Sequence, residues 1–175
     1  MGAFLVPYDP EWPTAFETER TRLAEALSGL VVAGIHHIGS TSIPGMPGKP
    51  MLDMMAGVGQ LDDASLAEPA LAALGYEPRP HRVDAALFVR QTRGLDTHNL
   101  HLTTAESDPW RERLAFRDAL RASPDLAQEY VALKLQLLHE SGGRGYDSAD
   151  KRDFVRRVLA GCGIELRDGL HVDHR

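Results

Sequence analysis

The fold of this chain is decided between residues 36 and 53, where the sequence reads HHIGSTSIPGMPGKPMLD. The apolar and β-branched residues from Val31 to Ile38 predict a buried strand, which runs into a loop rich in glycine and proline. A second strand, from Met51 to Val58, follows that loop. A strand that ends in Gly-Ser turns backbone N–H groups and a hydroxyl toward one point, and that arrangement is typical of an anion site.

Hydrophobic periodicity outside this stretch predicts five helices and a strand hairpin. The helices are expected at Trp12 to Leu27, Asp62 or Asp63 to Leu74, Asp108 to about Arg121, Pro124 to Glu140 and Asp147 or Ser148 to Leu159. The hairpin strands are expected at Ala85 to Gln91 and Asp96 to Thr104. This order predicts an α+β fold, with helices packed against one mostly antiparallel or mixed sheet. We expect a single domain over residues 1–162 and a flexible tail over 163–175.

Composition restricts the class of function. The 175 residues carry 19 Lys and Arg against 25 Asp and Glu, a formal net charge of −6, which argues against a generic nucleic-acid binder. The one cysteine, Cys162, excludes an intramolecular disulfide and fits a reducing compartment. No apolar run approaches the ~20 residues that cross a bilayer, and Pro7 and Pro10 interrupt any signal-peptide core. The sequence therefore predicts a cytoplasmic protein without a membrane partner.

The quoted stretch also supplies charges of both signs. Lys49 adds a positive charge beside the Gly39-Ser40 turn, and Asp53 is a carboxylate in an otherwise apolar strand. A carboxylate oxygen is the kind of ligand that holds Mg²⁺ beside phosphates. The alternative is that Gly39 and Ser40 form only a tight turn and that Asp53 pairs with a nearby arginine.

The hairpin offers two further candidates. Arg90 lies within a strand, in phase with Ala86 and Phe88, and arginine suits bidentate phosphate contacts. On the next strand, alternation places Asn99 and His101 on one face and His98 on the other. We assign His98 a structural role and leave ligand-binding and structural roles open for His101.

The motifs together resemble the GrpB family, a group of small bacterial proteins in the nucleotidyltransferase superfamily. The resemblance runs from Val6 to about Leu159. Besides residues 37–53, it rests on Thr97-His98-Asn99-Leu100-His101-Leu102, Phe116-Arg117-Asp118, Tyr130-Val131-Ala132-Leu133-Lys134 and Lys151 three residues before Phe154. It implies a nucleotidyltransferase-like mixed sheet with flanking helices and a helical C-terminal part.

The resemblance also implies roles for individual residues. Gly39 and Ser40, with Thr41 and Ser42, would hold phosphates, and Asp53 would be the first carboxylate of a metal-binding acid pair that takes Mg²⁺. The second carboxylate of the pair is expected at position 55, which is Met55 here, and a third acid is expected where this chain has Asn99 and His101. A two-metal reaction needs enough negative charge to hold both ions, and one aspartate supplies little of it.

Three functions follow as hypotheses. The first is binding of a nucleoside triphosphate or another small phosphorylated ligand, with Mg²⁺-dependent nucleotidyl transfer to an unidentified acceptor. The second is a non-catalytic nucleotide-binding or protein-stabilising module that lost the second metal carboxylate. The third is a small metal-dependent phosphohydrolase that uses Asp53 and His101. The sequence leaves the identity of the nucleotide and the oligomeric state open.

Overall fold

One mixed sheet of five strands organises the molecule, in a computed structural model that describes residues 5–81, 83–143 and 148–166. Its strands are β1 (Val31–Ile38), β2 (Leu52–Val58), β3 (Tyr76–Arg79), β4 (Ala86–Thr92) and β5 (Leu95–Thr104). Their order is β1-β2-β5-β4-β3, and β2 and β5 are parallel while the other neighbours are antiparallel. The predicted α+β class, with one mixed sheet, is confirmed.

Helices cover both faces of the sheet. They are α1 (Trp12–Ala26), α2 (Asp63–Ala73), α3 (Asp108–Ala122), α4 (Pro124–Glu140) and α5 (Ala149–Gly161). Three begin at a serine whose hydroxyl accepts a backbone N–H of the first turn, namely Ser107, Ser123 and Ser148. The main core lies between the sheet and helices α1 and α2, and α3 covers the opposite face through Trp110, which packs on Ile38 and Met55.

A second apolar cluster joins the helical part of the chain to the loop after β1. Residues of α3, α4 and α5 pack together around Tyr130 and Phe154. Two residues of the loop, Ile43 and Met46, are buried in the same cluster, at 3% and 2% exposure. The loop is therefore held between the sheet and the helices, because its apolar side chains are removed from water only there.

The structure departs from the predicted elements at β3. This strand has four residues, of which only Tyr76 is buried, and it pairs with β4 at the edge of the sheet. Such a short and mostly polar segment has no alternation for periodicity to detect. In the predicted tail, Leu166 is buried, and residues 167–175 lie outside the described residues. Within the described ranges, no helix has the length and apolar character that a membrane crossing requires.

A buried ionic network crosses the face that α1 covers. Glu19 of α1 is only 3% exposed and accepts two hydrogen bonds from the Arg90 guanidinium, at 2.8 and 3.0 Å. The Tyr76 hydroxyl also donates to Glu19, at 2.9 Å, and Arg90 donates to His98 Nε2 at 2.7 Å. Burial opposes the charge of Glu19, but the hydrogen bonds from Arg90 and Tyr76 hold its pKa below the ordinary value.

Removal of the Glu19 carboxylate is expected to be costly because Arg90 would keep a largely buried charge without its partner. We expect Glu19→Ala to lower the free energy of unfolding by about 3–5 kcal/mol, measured by urea denaturation. Glu17→Ala is the matched control on the same helix, since the Glu17–Arg20 pair is about half exposed at 55% and 50%. The control should cost under about 1 kcal/mol. Equal losses in the two variants would show that the buried network contributes no more than a surface pair.

Candidate functional site

Gly39 brings the chain into contact with Asp53 where β1 ends. The register pairs Ile38 with Asp53, and Gly39 then adopts φ +70° and ψ −175°, a conformation almost confined to glycine. A Cβ atom at this position would lie 2.5 Å from Asp53 Oδ2 and 2.9 Å from its Cβ. Only a residue without a side chain lets the backbone pass this close to the carboxylate.

The next three residues, Ser40–Ser42, form one turn of 3-10 helix that is tied together by hydroxyl groups. Ser42 Oγ donates to Gly39 O at 2.6 Å, and Thr41 Oγ1 donates to Met51 O at 3.1 Å. His37 Nε2 lies 2.9 Å from Thr41 Oγ1 and therefore acts as its donor. Burial and the positive charges of Arg121 and Arg117 lower the pKa of His37 to about 4. Thr41 and Ser42, predicted to bind phosphate, thus use their hydroxyls to hold the loop.

Ser40 is held by a lysine to which we gave no role from the sequence. Lys134 Nζ donates to Ser40 Oγ and to Pro47 O, both at 3.0 Å, and the Lys134 side chain is completely buried. The ammonium also lies 5.0 Å from the centre of the Tyr130 ring. The sequence could have indicated that Lys134 is buried, because Tyr130, Lys134 and Leu137 recur with helical spacing on one face of α4. A lysine in place of an apolar residue there indicates a specific partner.

The surroundings of Lys134 disfavour its charge. Burial, and secondarily the positive charge of Lys151, lower the pKa of Lys134 to about 8. Both acceptors of its hydrogen bonds are neutral oxygens. Within the described residues, then, Lys134 makes no ion pair at hydrogen-bond distance, although its pKa leaves it mostly protonated at pH 7.

The neighbour of Asp53 on β5 is the amide side chain of Asn99, whereas the resemblance implies an acid on that strand. The parallel register of β2 and β5 sets Asp53 beside Asn99, and Asn99 Nδ2 donates to Asp53 Oδ1 at 2.8 Å. Met55, which replaces the second carboxylate of the expected acid pair, is fully buried against Ile38 and Trp110. An acid at position 55 would therefore have to enter an apolar cluster.

This donor set limits which metal site the residues fit. Among residues 5–81, 83–143 and 148–166, no three His, Cys, Asp or Glu side chains gather as metal ligands do. One carboxylate does fit a single Mg²⁺, because that ion is commonly held by one or two carboxylates together with ligand phosphates. The residues do not fit a two-metal centre, which needs more negative charge than Asp53 supplies.

The remaining predicted residues fall at different distances from this centre. Lys49 follows Gly48 in the same loop and is half-buried. His101 shares the Asp53 face but lies two residues beyond Asn99, about 7 Å along β5. It is 4% exposed, and its ring centre is 5.0 Å from that of His81.

Arg90 lies outside the candidate site. The register places it on the same face as His98 and Leu100, opposite to Asp53, where it binds Glu19. The expected phosphate contact from Arg90 therefore has no geometric basis, because the sheet separates its side chain from Asp53. Alternation along β4 puts Arg90 on the same face as Ala86 and Phe88, which is the face of the main core.

The fold defined by this sheet and its glycine-serine turn is nucleotidyltransferase-like. A structure of the Cid1 poly(U) polymerase with MgGTP bound matches with a TM-score of 0.52, covering 77% of this chain and 44% of that chain, at 14% sequence identity. The crystal structure of the conserved protein GrpB from Enterococcus faecalis matches with a TM-score of 0.77 at 26% identity, covering 92% of this chain and 100% of that chain.

The chain belongs to the GrpB family, whose model, described as GrpB protein, matches residues 3–160. The UPF0157 protein YqkA of Bacillus subtilis is 34% identical over 134 residues, which cover 76% of this chain but only 39% of YqkA. The glutamate-rich protein GrpB of Alkalihalophilus pseudofirmus is 31% identical over 162 residues, covering 89% of this chain and 92% of that protein. The chain thus spans about two fifths of YqkA and nearly all of the second relative. The resemblance inferred from the motifs is confirmed.

The contact between Gly39 and Asp53 predicts a large difference between two glycine substitutions. Gly39→Ala must displace the Asp53 carboxylate, whereas at Gly29, also at positive φ (+85°), an added Cβ meets no atom within 4 Å. We expect Gly29→Ala to cost about 1 kcal/mol from backbone strain and Gly39→Ala at least about 2 kcal/mol more, by urea denaturation. Similar losses in both variants would contradict the close approach.

The lowered pKa of Lys134 predicts how stability changes with pH. Between pH 8 and 10.5 the unfolded chain keeps a proton on Lys134 that the folded protein has lost, so the free energy of unfolding rises with pH in this window. Compared with Lys134→Met, the unmodified protein should gain about 2 kcal/mol between pH 7 and 9.5, measured by urea denaturation at each pH. A constant difference between the two proteins would mean that Lys134 titrates as it does in water.

Proposed function

We propose that this protein binds a nucleoside triphosphate, or another small phosphorylated ligand, at the Gly39-Ser40 turn beside Asp53. The observation that carries the proposal is the buried ammonium of Lys134, bonded to the neutral oxygens of Ser40 and Pro47. A buried charge is costly unless an opposite charge lies near it. A phosphate at the turn would supply that charge.

Ser40 is the residue through which the ammonium would act on such a ligand. Because Lys134 donates to Ser40 Oγ, the hydroxyl proton of Ser40 is left to point at an acceptor other than the lysine. Ser40 is also the half-buried member of its turn, whereas Thr41 and Ser42 are buried and their hydroxyls are engaged in the loop. A phosphate oxygen that accepts from Ser40 would feel the positive field of Lys134 in a medium of low dielectric constant. Lys49 lies in the same loop and adds positive charge.

Asp53 is the residue that would bind Mg²⁺ brought by the ligand. The ion, when bound, neutralises phosphate charge. Asn99 fixes the carboxylate through its hydrogen bond to Oδ1, and the Gly39 backbone passes close to Oδ2. His101 would lie along β5 from the bound ligand.

We favour binding without efficient nucleotidyl transfer. The nucleotidyltransferase-like fold supports transfer as the second candidate function. The replacement of the expected acids by Met55, buried in apolar surroundings, and by Asn99, bonded to Asp53, supports the non-catalytic module instead. The same observations disfavour a phosphohydrolase that relies on Asp53 and His101. We place this activity in the cytoplasm, where the single cysteine of the chain stays reduced.

Calorimetric titration with ATP, GTP, CTP and UTP, with and without Mg²⁺, tests the binding proposal. Lys134→Met should weaken binding at least about tenfold in both conditions, because it removes the charge behind Ser40. Asp53→Asn should weaken it about tenfold only when Mg²⁺ is present. Asp96→Asn is the matched control, since Asp96 is exposed on β5 and pairs with Gln91, and it should change nothing. No heat with any triphosphate at about 1 mM would contradict the proposal.

Transfer is tested separately with α-labelled triphosphate and cell extract. We expect no labelled acceptor above the level that Asp53→Asn gives. A label that requires Asp53 would establish the enzyme in place of the binding module.

A further inference from the structure

A cleft lies at β1, the edge strand of the sheet. It encloses about 390 Å³, a volume within the range of small-molecule sites. Its walls come from α1, β1, the loop and α3, so it touches elements on both faces of the sheet. Neither Asp53 nor Lys134 lines it. The cleft therefore shares no lining residue with the proposed phosphate site formed by Gly39, Ser40, Asp53 and Lys134.

Two arginines of α3 are fixed at this cleft by backbone carbonyls. Arg117 donates to His37 O at 3.1 Å and to Asp118 Oδ1 at 2.7 Å, and its side chain is 12% exposed. Arg121, one turn later, donates from Nε to Ser42 O at 2.9 Å. A guanidinium has five N–H donors in a planar fork. Within the described residues, the two terminal NH2 groups of Arg121 have no hydrogen-bond acceptor.

The cleft carries a positive field inside an acidic chain. Its three arginines, Arg20, Arg117 and Arg121, face the two carboxylates of Glu17 and Asp118. Burial, and then the positive charges of Arg121 and Arg117, lower the pKa of the adjacent His37, and burial and then Arg117 lower the pKa of Arg121. Arg117 and Arg121 are four residues apart on α3, a spacing that places two like charges side by side on one helix face. An anion between them would reduce the repulsion between these like charges.

The remaining walls of the cleft are apolar or aromatic. Tyr8, Pro13, Phe16 and Ile35 line it, and the Phe16 ring stacks on His37 with the ring centres 4.7 Å apart. An inorganic ion would leave this apolar surface in contact with water, whereas a ligand with an organic body would cover it. Arginine forks beside an aromatic wall match a flat acid in both shape and charge.

We propose that this cleft is a binding site for a small organic anion whose carboxylate or phosphate meets Arg117 and Arg121 and whose apolar body covers Tyr8 and Pro13, apolar lining residues that keep exposed surface. This proposal is independent of the proposed nucleotide site, so either site can be correct without the other. The two arginines would recognise an oxyanion, and the test below distinguishes a carboxylate from a phosphate.

Titration by ¹H–¹⁵N NMR with phenyl phosphate, benzoate and inorganic phosphate tests this site in the unmodified protein. We expect phenyl phosphate or benzoate to shift the Nε–H signals of Arg117 and Arg121, with a dissociation constant near about 1 mM. The stronger of the two organic probes identifies the oxyanion. Inorganic phosphate should bind at least about fivefold more weakly, because it leaves the apolar wall uncovered.

Variants then separate this cleft from the proposed nucleotide site. Arg121→Gln should weaken the organic probe about tenfold, whereas Arg111→Gln, an exposed arginine of the same helix paired with Asp108, should not. Asp53→Asn should leave the probe unaffected even though it weakens triphosphate with Mg²⁺, because Asp53 does not line the cleft. If Arg121→Gln fails to fold, the Nε–H shifts of Arg117 and Arg121 in the unmodified protein still test the proposal. No shift at about 10 mM probe, equal binding of inorganic phosphate, or loss of the probe in Asp53→Asn would overturn the proposal.

Discussion

The buried ammonium of Lys134 is the constraint on which the rest of the candidate site depends. It crosses from α4 to the loop after β1 and holds that loop at two points, the Ser40 hydroxyl and the Pro47 carbonyl. Ile43 and Met46 fix the same loop from the apolar side, within the helical cluster. Apolar contacts alone could position the loop without a buried charge, so the proposed phosphate site rests on this lysine.

The sheet register places the start of that loop beside the carboxylate of Asp53. Pairing of Ile38 with Asp53 across β1 and β2 places the end of one strand directly beside the carboxylate of the next, and Gly39 allows the contact. The parallel pairing of β2 with β5 then brings Asn99 to the same carboxylate. A positive charge behind the turn and a single negative charge in front of it suit a phosphate that carries one Mg²⁺, and they give little support to chemistry that needs two metal ions.

Strand alternation was enough to predict which side chains share a face. Alternation correctly placed Asn99 and His98 on opposite faces of β5. The family motifs identified the fold. Both kinds of pattern are formed by residues close together in the chain. Three features depended on contacts between distant segments. Periodicity could not place Arg90 against Glu19, which is 71 residues away, nor Lys134 under Ser40, 94 residues away. Strand β3 was missed because its pairing with β4, rather than its own residues, makes it a strand.

The titration of the Lys134 side chain, followed by NMR of its Cε–H and Nζ signals with and without MgATP, tests the central claim most directly. We predict a pKa of about 8 in the free protein and a rise toward its ordinary value of 10.5 when the nucleotide binds, because a phosphate near Ser40 would stabilise the ammonium. A free-protein pKa near 10.5, or a pKa that saturating nucleotide leaves unchanged, would contradict the account.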